Sequence, residues 1–216
     1  MSTVNTHFTF NYSQPDEYRF SHDSVFLARQ AFEISESTSL SGKRGLDLCA
    51  GSGIVGLDFL FHRKVAGLSL PARFDFLEIQ EVYRPHFESN RAASGLVESE
   101  IRFVHSNYEN LQQPEYFQKY DLILANPPYF LPQHGLLSPS EFKNRCRFFI
   151  DSDFPALFLG IANALSPEGV AYILLKDLPQ HGWNVVAEAE KVCGSNLRLE
   201  KLGDIRGTLF LRITKP

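Results

Sequence analysis

One stretch constrains this chain more than any other: Gly45-Leu46-Asp47-Leu48-Cys49-Ala50-Gly51-Ser52-Gly53-Ile54-Val55-Gly56. Its first five residues read as a buried strand, and the apolar run Leu57 to Phe61 behind it reads as a helix. Between them lies Gly-x-Gly-x-x-Gly spacing. Glycines at such a bend permit positive φ and let a ligand approach the backbone, while the helix that follows presents unpaired N–H groups at its positive end. The spacing alone suits NAD or FAD equally well. Asp47, four residues before the first loop glycine, shifts the reading, because a carboxylate there matches the ammonium of S-adenosylmethionine and repels a pyrophosphate. Glu78, at the end of Phe74-Asp75-Phe76-Leu77-Glu78-Ile79, stands where it would accept from ribose hydroxyls. It falls somewhat beyond the roughly 20-residue spacing of dinucleotide folds. Solvated strand ends are the plainer reading of both carboxylates.

The rest of the chain alternates in the same way. The patterning predicts strands at Arg73–Leu77, Ile101–Val104, Asp121–Ala125 and Val170–Leu175. Helices are expected near Glu81–Ala93, with Gly95 as the stop, near Asp153–Leu165, with Ser152 as cap and Pro155 in the first turn, and near Trp183–Val192. The chain then closes with Leu197–Leu202 and Thr208–Ile213 around a Gly203–Gly207 turn. That order specifies a parallel α/β sheet with a terminal hairpin. Ligands of such sheets sit outside the carboxyl ends of the strands, where Asp47, Glu78, Asn107 and Asn126 all fall.

After the apolar run Tyr120–Ala125 comes Asn126-Pro127-Pro128-Tyr129. A planar NH2 group is a poor nucleophile because its lone pair is delocalised, so a catalyst must accept from both N–H groups and hold the nitrogen in line with a methyl donor. The Asn126 amide oxygen offers one acceptor and the Pro127 carbonyl a second, while two rings of fixed φ keep the turn rigid. Tyr129 adds a stacking face. The tetrapeptide by itself equally describes an ordinary strand-ending turn.

At 216 residues the chain is long enough for one sizeable core and short for two. A net charge of −4 gives no global basic field, so a nucleic-acid partner would have to be held by a local patch. The candidate patch is Lys143-Asn144-Arg145-Cys146-Arg147, within a long connection, Phe130 to Ile150, beside the Pro-Pro loop. Cys49, Cys146 and Cys193 are far apart and read as reduced thiols, with Cys49 a small core residue. Met1 to Phe10 has no basic start or continuous apolar run, and no segment reaches the ~20 apolar residues that span a bilayer. Cytoplasmic residence without export, membrane or metal is therefore expected. Residues 1–20, with Phe8, Phe10, Tyr12, Tyr18 and Phe20, suggest an aromatic arm or small hairpin packing on a domain of residues 21–216. No internal repeat or low-complexity region stands out, and the seven histidines look scattered.

Phe20-Ser21-His22-Asp23-Ser24-Val25-Phe26-Leu27-Ala28, Asp47-Leu48-Cys49-Ala50-Gly51-Ser52-Gly53-Ile54, Glu78-Ile79-Gln80 and Asn126-Pro127-Pro128-Tyr129-Phe130 together resemble the ordered signatures of the bacterial tRNA adenine-N6 methyltransferases that act beside the anticodon of a valine tRNA. The resemblance implies a Rossmann-like class I methyltransferase, with a mostly parallel, twisted seven-stranded sheet, helices on both faces and a C-terminal antiparallel hairpin. It implies S-adenosylmethionine as cofactor, S-adenosylhomocysteine as product and an RNA substrate, most simply tRNA; the oligomeric state stays open, a monomer among the options. Asp23, Asp47, Cys49, Gly51, Gly53, Glu78, Ile79, Asn107 and Asn126 would surround the cofactor. Asn126, Pro127, Pro128 and Tyr129 would receive the target amine, and Phe130, Lys143, Arg145 and Arg147 would touch RNA. Ser106-Asn107 departs from the pattern, since relatives carry Asp at that strand end; Asn keeps an acceptor but loses the charge. Glutamine N5-methyltransferases of the release-factor type share the Asn-Pro-Pro-Tyr loop and are the nearest alternative. A non-catalytic nucleotide- or RNA-binding module on the same fold is the alternative of another class.

Overall fold

In the computed structural model, residues 11–97 and 99–216 are described. The apolar runs become the parallel strands β1 (Arg44–Leu48), β2 (Arg73–Glu78), β3 (Glu100–His105), β4 (Tyr120–Ala125) and β5 (Leu165–Leu175), the central ones buried on both faces and β3 a partly exposed edge. β6 (Arg198–Ile205) and β7 (Thr208–Thr214) complete one seven-stranded sheet in the order β3-β2-β1-β4-β5-β7-β6, with β7 antiparallel to both neighbours. Helices α1 (His22–Ser35), α2 (Ile54–Val65) and α3 (Arg84–Ser94) precede α4 (Glu141–Arg147), α5 (Phe154–Ala164) and α6 (Val185–Cys193).

Two apolar clusters flank the sheet, one centred on α5 and α6 with Phe158, Ile161 and Ile173, the other on α1, α2 and α3 with Leu27, Phe59 and Phe87. Close helix–strand approach explains one glycine directly. At Gly56 an added β-carbon would lie 2.5 Å from the Phe76 ring, so α2 packs onto β2 only through a residue without one. Gly95 ends α3 in the left-handed region (φ 62°), as its position suggested.

Several expectations are corrected at element ends. The α5 cap is Asp153, whose carboxylate accepts from the Ala156 N–H at 2.8 Å, so Ser152 stands one residue outside it. The hairpin turn is shorter than Gly203–Gly207. Ile205 still pairs with Thr208, and only Arg206 and Gly207 turn, both at positive φ (53° and 80°), the geometry that matches strand twist. Gly203 lies inside β6, where a register shift between Lys201 and Gly203 takes up the extra residue. The Phe130–Ile150 connection contains α4, and α3 is preceded by a short 3-10 turn at Glu81–Tyr83. The chain also repeats Leu-Pro-Gln-His-Gly, at 131–135 and 178–182, so one short internal repeat exists after all. Among residues 11–20 no strand forms, and Phe8 and Phe10 lie outside the described residues.

Candidate active site

The strand order reverses between β1 and β4, and a crevice opens outside their carboxyl ends. In-register pairing sets Leu48 level with Leu77 and with Ala125, so the residues that follow, Cys49, Glu78 and Asn126, stand side by side. They line a cavity of about 210 Å³ whose wall also includes Gly51, Ile79, Asn107 and Pro127 to Phe130. Four strand ends that are distant in sequence therefore meet at one opening.

Glu78 anchors the glycine bend. One carboxylate oxygen accepts from the Gly51 N–H and the other from the Gln80 N–H, each at 2.8 Å. Burial holds its pKa above the usual carboxylate range, opposed by backbone N–H groups of Gln80, Gly51 and Ile79 and by the Arg145 charge. Each oxygen keeps a further lone pair for a ligand hydroxyl. Cys49 sits at positive φ (61°), with its thiol pushed well up by burial and then by Glu78, Asp47 and Asp151. It lines the cavity, where the resemblance placed it, whereas its small size alone suggested a core residue.

Asp47 does not reach the cavity. It is fully buried behind the glycine bend, one oxygen accepting from the Gly56 N–H at 2.8 Å and the other without a hydrogen-bond partner. Burial raises its pKa to about 8, with the Gly56 N–H lowering and Glu78 further raising it. The expected direct contact with a cofactor ammonium is thus replaced by support of the α2 N-terminus from beneath. Gly53 is likewise outside the wall; at φ 83° it caps α2, and a β-carbon there would come 2.7 Å from Phe87. Asn107 lines the cavity but spends its amide on the chain. Its oxygen accepts from the Glu109 N–H at 3.0 Å and its NH2 donates to the Asp151 carbonyl at 2.9 Å.

The Asn126 amide is fixed at both ends. Its NH2 donates to the Ser24 hydroxyl at 2.9 Å, and its oxygen accepts from the Tyr129 hydroxyl at 2.5 Å. The Asn126 oxygen keeps a second lone pair for a substrate N–H. The loop backbone is pinned as well, because Tyr129 and Phe130 both donate to the Arg147 carbonyl and Phe130 accepts from Phe149. The long Phe130–Ile150 connection thus folds back to brace the Pro-Pro turn.

The basic run is divided among different partners. Arg145 is tied to Asp151 at 2.9 Å, Arg147 lies over the Phe130 and Phe148 rings at 5.6 and 5.7 Å, and Lys143 is not part of the cavity wall. On α4, Arg145 points away from the face that Lys143 and Arg147 share at i and i+4, so close sequence spacing does not make a single surface.

Other wall residues escaped sequence reasoning. Tyr83 and Gln80 meet the Cys146 sulfur at 3.2 and 3.4 Å, contacts with no local signal. Asp23, which the resemblance set at the cofactor, does line the cavity, and it pairs with Arg206 of the hairpin turn at 3.1 Å. The segment before α1 crosses the opening, contributing Gln14, Tyr18 and Phe20. It is fastened by Asn90, which accepts from the Ser13 N–H at 2.6 Å and donates at 2.9 Å to both the Ser13 carbonyl and the Ser52 carbonyl of the glycine bend. Tyr12 adds a hydrogen bond to Asp58. Among the described residues no group of three or more His, Cys, Asp or Glu side chains is placed to hold a metal, and no helix is long and apolar enough to cross a membrane.

No protein-family model matches the chain. It is 32% identical over 145 residues to the tRNA1(Val) (adenine(37)-N6)-methyltransferase of Shewanella sp. strain W3-18-1, covering 67% of this chain and 57% of that protein. It is also 29% identical over 136 residues to the ribosomal protein uL3 glutamine methyltransferase of Neisseria meningitidis, covering 59% and 41%. The chain thus spans less than two thirds of the length of these curated relatives. Among solved structures, a Thermus thermophilus 16S rRNA N2 methyltransferase in complex with AdoMet and guanosine superposes with TM-score 0.61 at 17% identity, covering 93% of this chain and 45% of that one. The chain has the class I methyltransferase fold and resembles the tRNA1(Val) adenine-N6 methyltransferases in sequence.

Proposed function

We propose that this chain transfers a methyl group from S-adenosylmethionine to the exocyclic amine of adenine in RNA, with tRNA the favoured class. The observation that carries the reading is the meeting, in one cavity at the β1/β4 switch, of the glycine bend with Glu78 and of the Asn126–Tyr129 loop. One side supplies the chemistry of a nucleoside site and the other the acceptors that a planar NH2 requires. The tRNA1(Val) relative supports adenine in tRNA.

The residues present fit S-adenosylmethionine. Gly51 and Cys49 give a backbone wall without bulk, Glu78 offers free lone pairs to a ribose, and Ile79 gives an apolar face for a base. Asp23 and Asn107 complete that side, with Asp47 and Gly53 holding the bend in shape from behind. When bound, the cofactor supplies an electrophilic sulfonium methyl. The chain's own part is positional. The Asn126 oxygen and the Pro127 carbonyl accept from the two amine hydrogens, aim the nitrogen lone pair and stabilise the positive charge that grows on it. Tyr129 holds the Asn126 oxygen through its hydroxyl while its ring offers a face to the base, and Phe130 and Arg147 flank the entering strand. The amine proton leaves to solvent after transfer, so no general base is required.

Methylation of a protein glutamine is the second reading, favoured by the uL3 relative and by the identical demands of a carboxamide NH2. Nucleoside mass spectrometry of total RNA from cells with and without the gene separates the two. The proposal expects one N6-methyladenosine position to disappear. Unchanged N6-methyladenosine together with loss of a methylated glutamine would overturn it. A chain that binds RNA but transfers no methyl group would instead be the non-catalytic module.

A further inference from the structure

The repeated pentapeptide produces a feature that the methyl-transfer reading does not use. Both copies follow the carboxyl end of a core strand, Leu131–Gly135 after β4 and Leu178–Gly182 after β5. In each, proline opens a single 3-10 turn, and the histidine N–H closes onto the leucine carbonyl, at 2.8 Å for His134 and 2.9 Å for His181. Like turns on neighbouring strands present like side chains. The two imidazoles lie parallel, with ring centroids 4.6 Å apart and 1° between their planes.

The stack is rooted in the core and open at the top. His134 meets the edge of Trp183 at 6.0 Å, and Trp183 meets Phe154, a buried residue at the start of α5, at 5.3 Å. Gly135 packs so tightly on Phe148 that a β-carbon there would come within 2.8 Å, which seats the first turn against the end of α4. His181 is exposed, and the Nδ1 atom of His134 is buried without a hydrogen-bond partner. Ring-nitrogen lone pairs lie in the ring plane, so parallel imidazoles do not converge on one metal ion. A flat, pre-ordered π surface remains, four residues beyond the cavity-wall residue Phe130 and on a turn packed against another wall residue, Phe148.

We infer that His134 and His181 form a stacking platform for a nucleobase next to the target adenine, a reading that rests on the RNA assignment above. Swinging one base into the cavity leaves its neighbour unstacked on one face. The exposed His181 ring, lying beyond the same strand ends as Asn126, replaces the lost partner, and sequence-tolerant stacking of this kind suits any base. Its rigidity lowers the entropic cost, because the ring beneath is already held by Trp183.

Trp183 is the only tryptophan, so its fluorescence reports on the stack. The full chain, saturated with S-adenosylhomocysteine, is titrated with an RNA hairpin carrying adenines in its loop, and methyl transfer to the same hairpin is measured separately. Binding should quench Trp183. His181→Ala should weaken hairpin binding about fivefold or more, His181→Phe should stay within about twofold of wild type, and S-adenosylhomocysteine affinity should not change in either. Equal binding by wild type and His181→Ala overturns the platform while leaving RNA methylation intact. Equal losses in the Ala and Phe variants also overturn it, since the histidine edge rather than its face would then be recognised. A wild-type chain that neither binds nor methylates the hairpin, but whose Trp183 is quenched by a glutamine-containing peptide, removes the RNA reading itself and the platform with it.

Discussion

Asp47 and Glu78 are two buried carboxylates on adjacent parallel strands, and they do different things. Register explains why. Asp47 pairs with Phe76 inside the sheet, whereas Glu78 lies two residues further along β2, level with the first residue past β1. The deeper carboxylate holds the Gly56 N–H and has one oxygen unsatisfied, while the outer one holds the Gly51 and Gln80 N–H groups and faces the cavity. A motif offset counted from a glycine does not distinguish these cases; depth in the sheet does.

The strongest way to break this contrast is cofactor affinity measured by calorimetry with S-adenosylhomocysteine. Glu78→Ala removes a charge-assisted contact worth roughly 1.5–3 kcal/mol, so binding should fall by about tenfold to more than a hundredfold. Asp47→Asn should stay within about threefold of wild type. Equal losses would place both carboxylates on the ligand.

The next effect is on stability against pH. Asp47 titrates near 8 in the folded chain against an ordinary 3.8, so between those values the native state binds a proton that the unfolded state has released. Stability from this group is therefore full below about pH 4 and is lost as pH rises through about 8. Thermal unfolding midpoints should fall across that window as stability drops by on the order of a few kcal/mol in total. Asp47→Asn should flatten the curve. An unchanged slope in that variant would assign the pH dependence to other groups, Glu78 first.

The smallest effect sharpens the substrate side. Ser24 lies within the Phe20–Ala28 signature but has no role assigned by it, yet it receives the Asn126 NH2 and thereby fixes which way the amide oxygen points. Ser24→Ala removes one neutral hydrogen bond of about 0.5–1.5 kcal/mol, so turnover should fall about two- to tenfold with cofactor affinity unchanged. A fall in cofactor affinity instead would make Ser24 part of the donor site.

The succession of strands along the chain and the position of the cleft were legible because central parallel strands buried on both faces leave continuous apolar runs, and because Gly51, Glu78 and Asn126 follow or end such runs. Contacts that cross the sequence were not. Nothing local marks Asn90 as the fastener between Ser13 and the glycine bend, or Arg147 as the backbone acceptor beneath Tyr129 and Phe130. The paired histidines were half legible. Their repeated pentapeptide is visible in the sequence, but only the adjacency of β4 and β5 turns two copies into one stack.

The central claim is that Asn126 presents the target nitrogen and does little for the donor. Purified wild-type and Asn126→Ala chains, each saturated with methyl-labelled S-adenosylmethionine, are compared in single turnover on total RNA, with digestion to nucleosides. Wild type should place label in N6-methyladenosine, and the variant should be slower by at least about a hundredfold at unchanged cofactor affinity. A variant that keeps most of its rate, or label that appears in protein glutamine and not in RNA, would contradict the account.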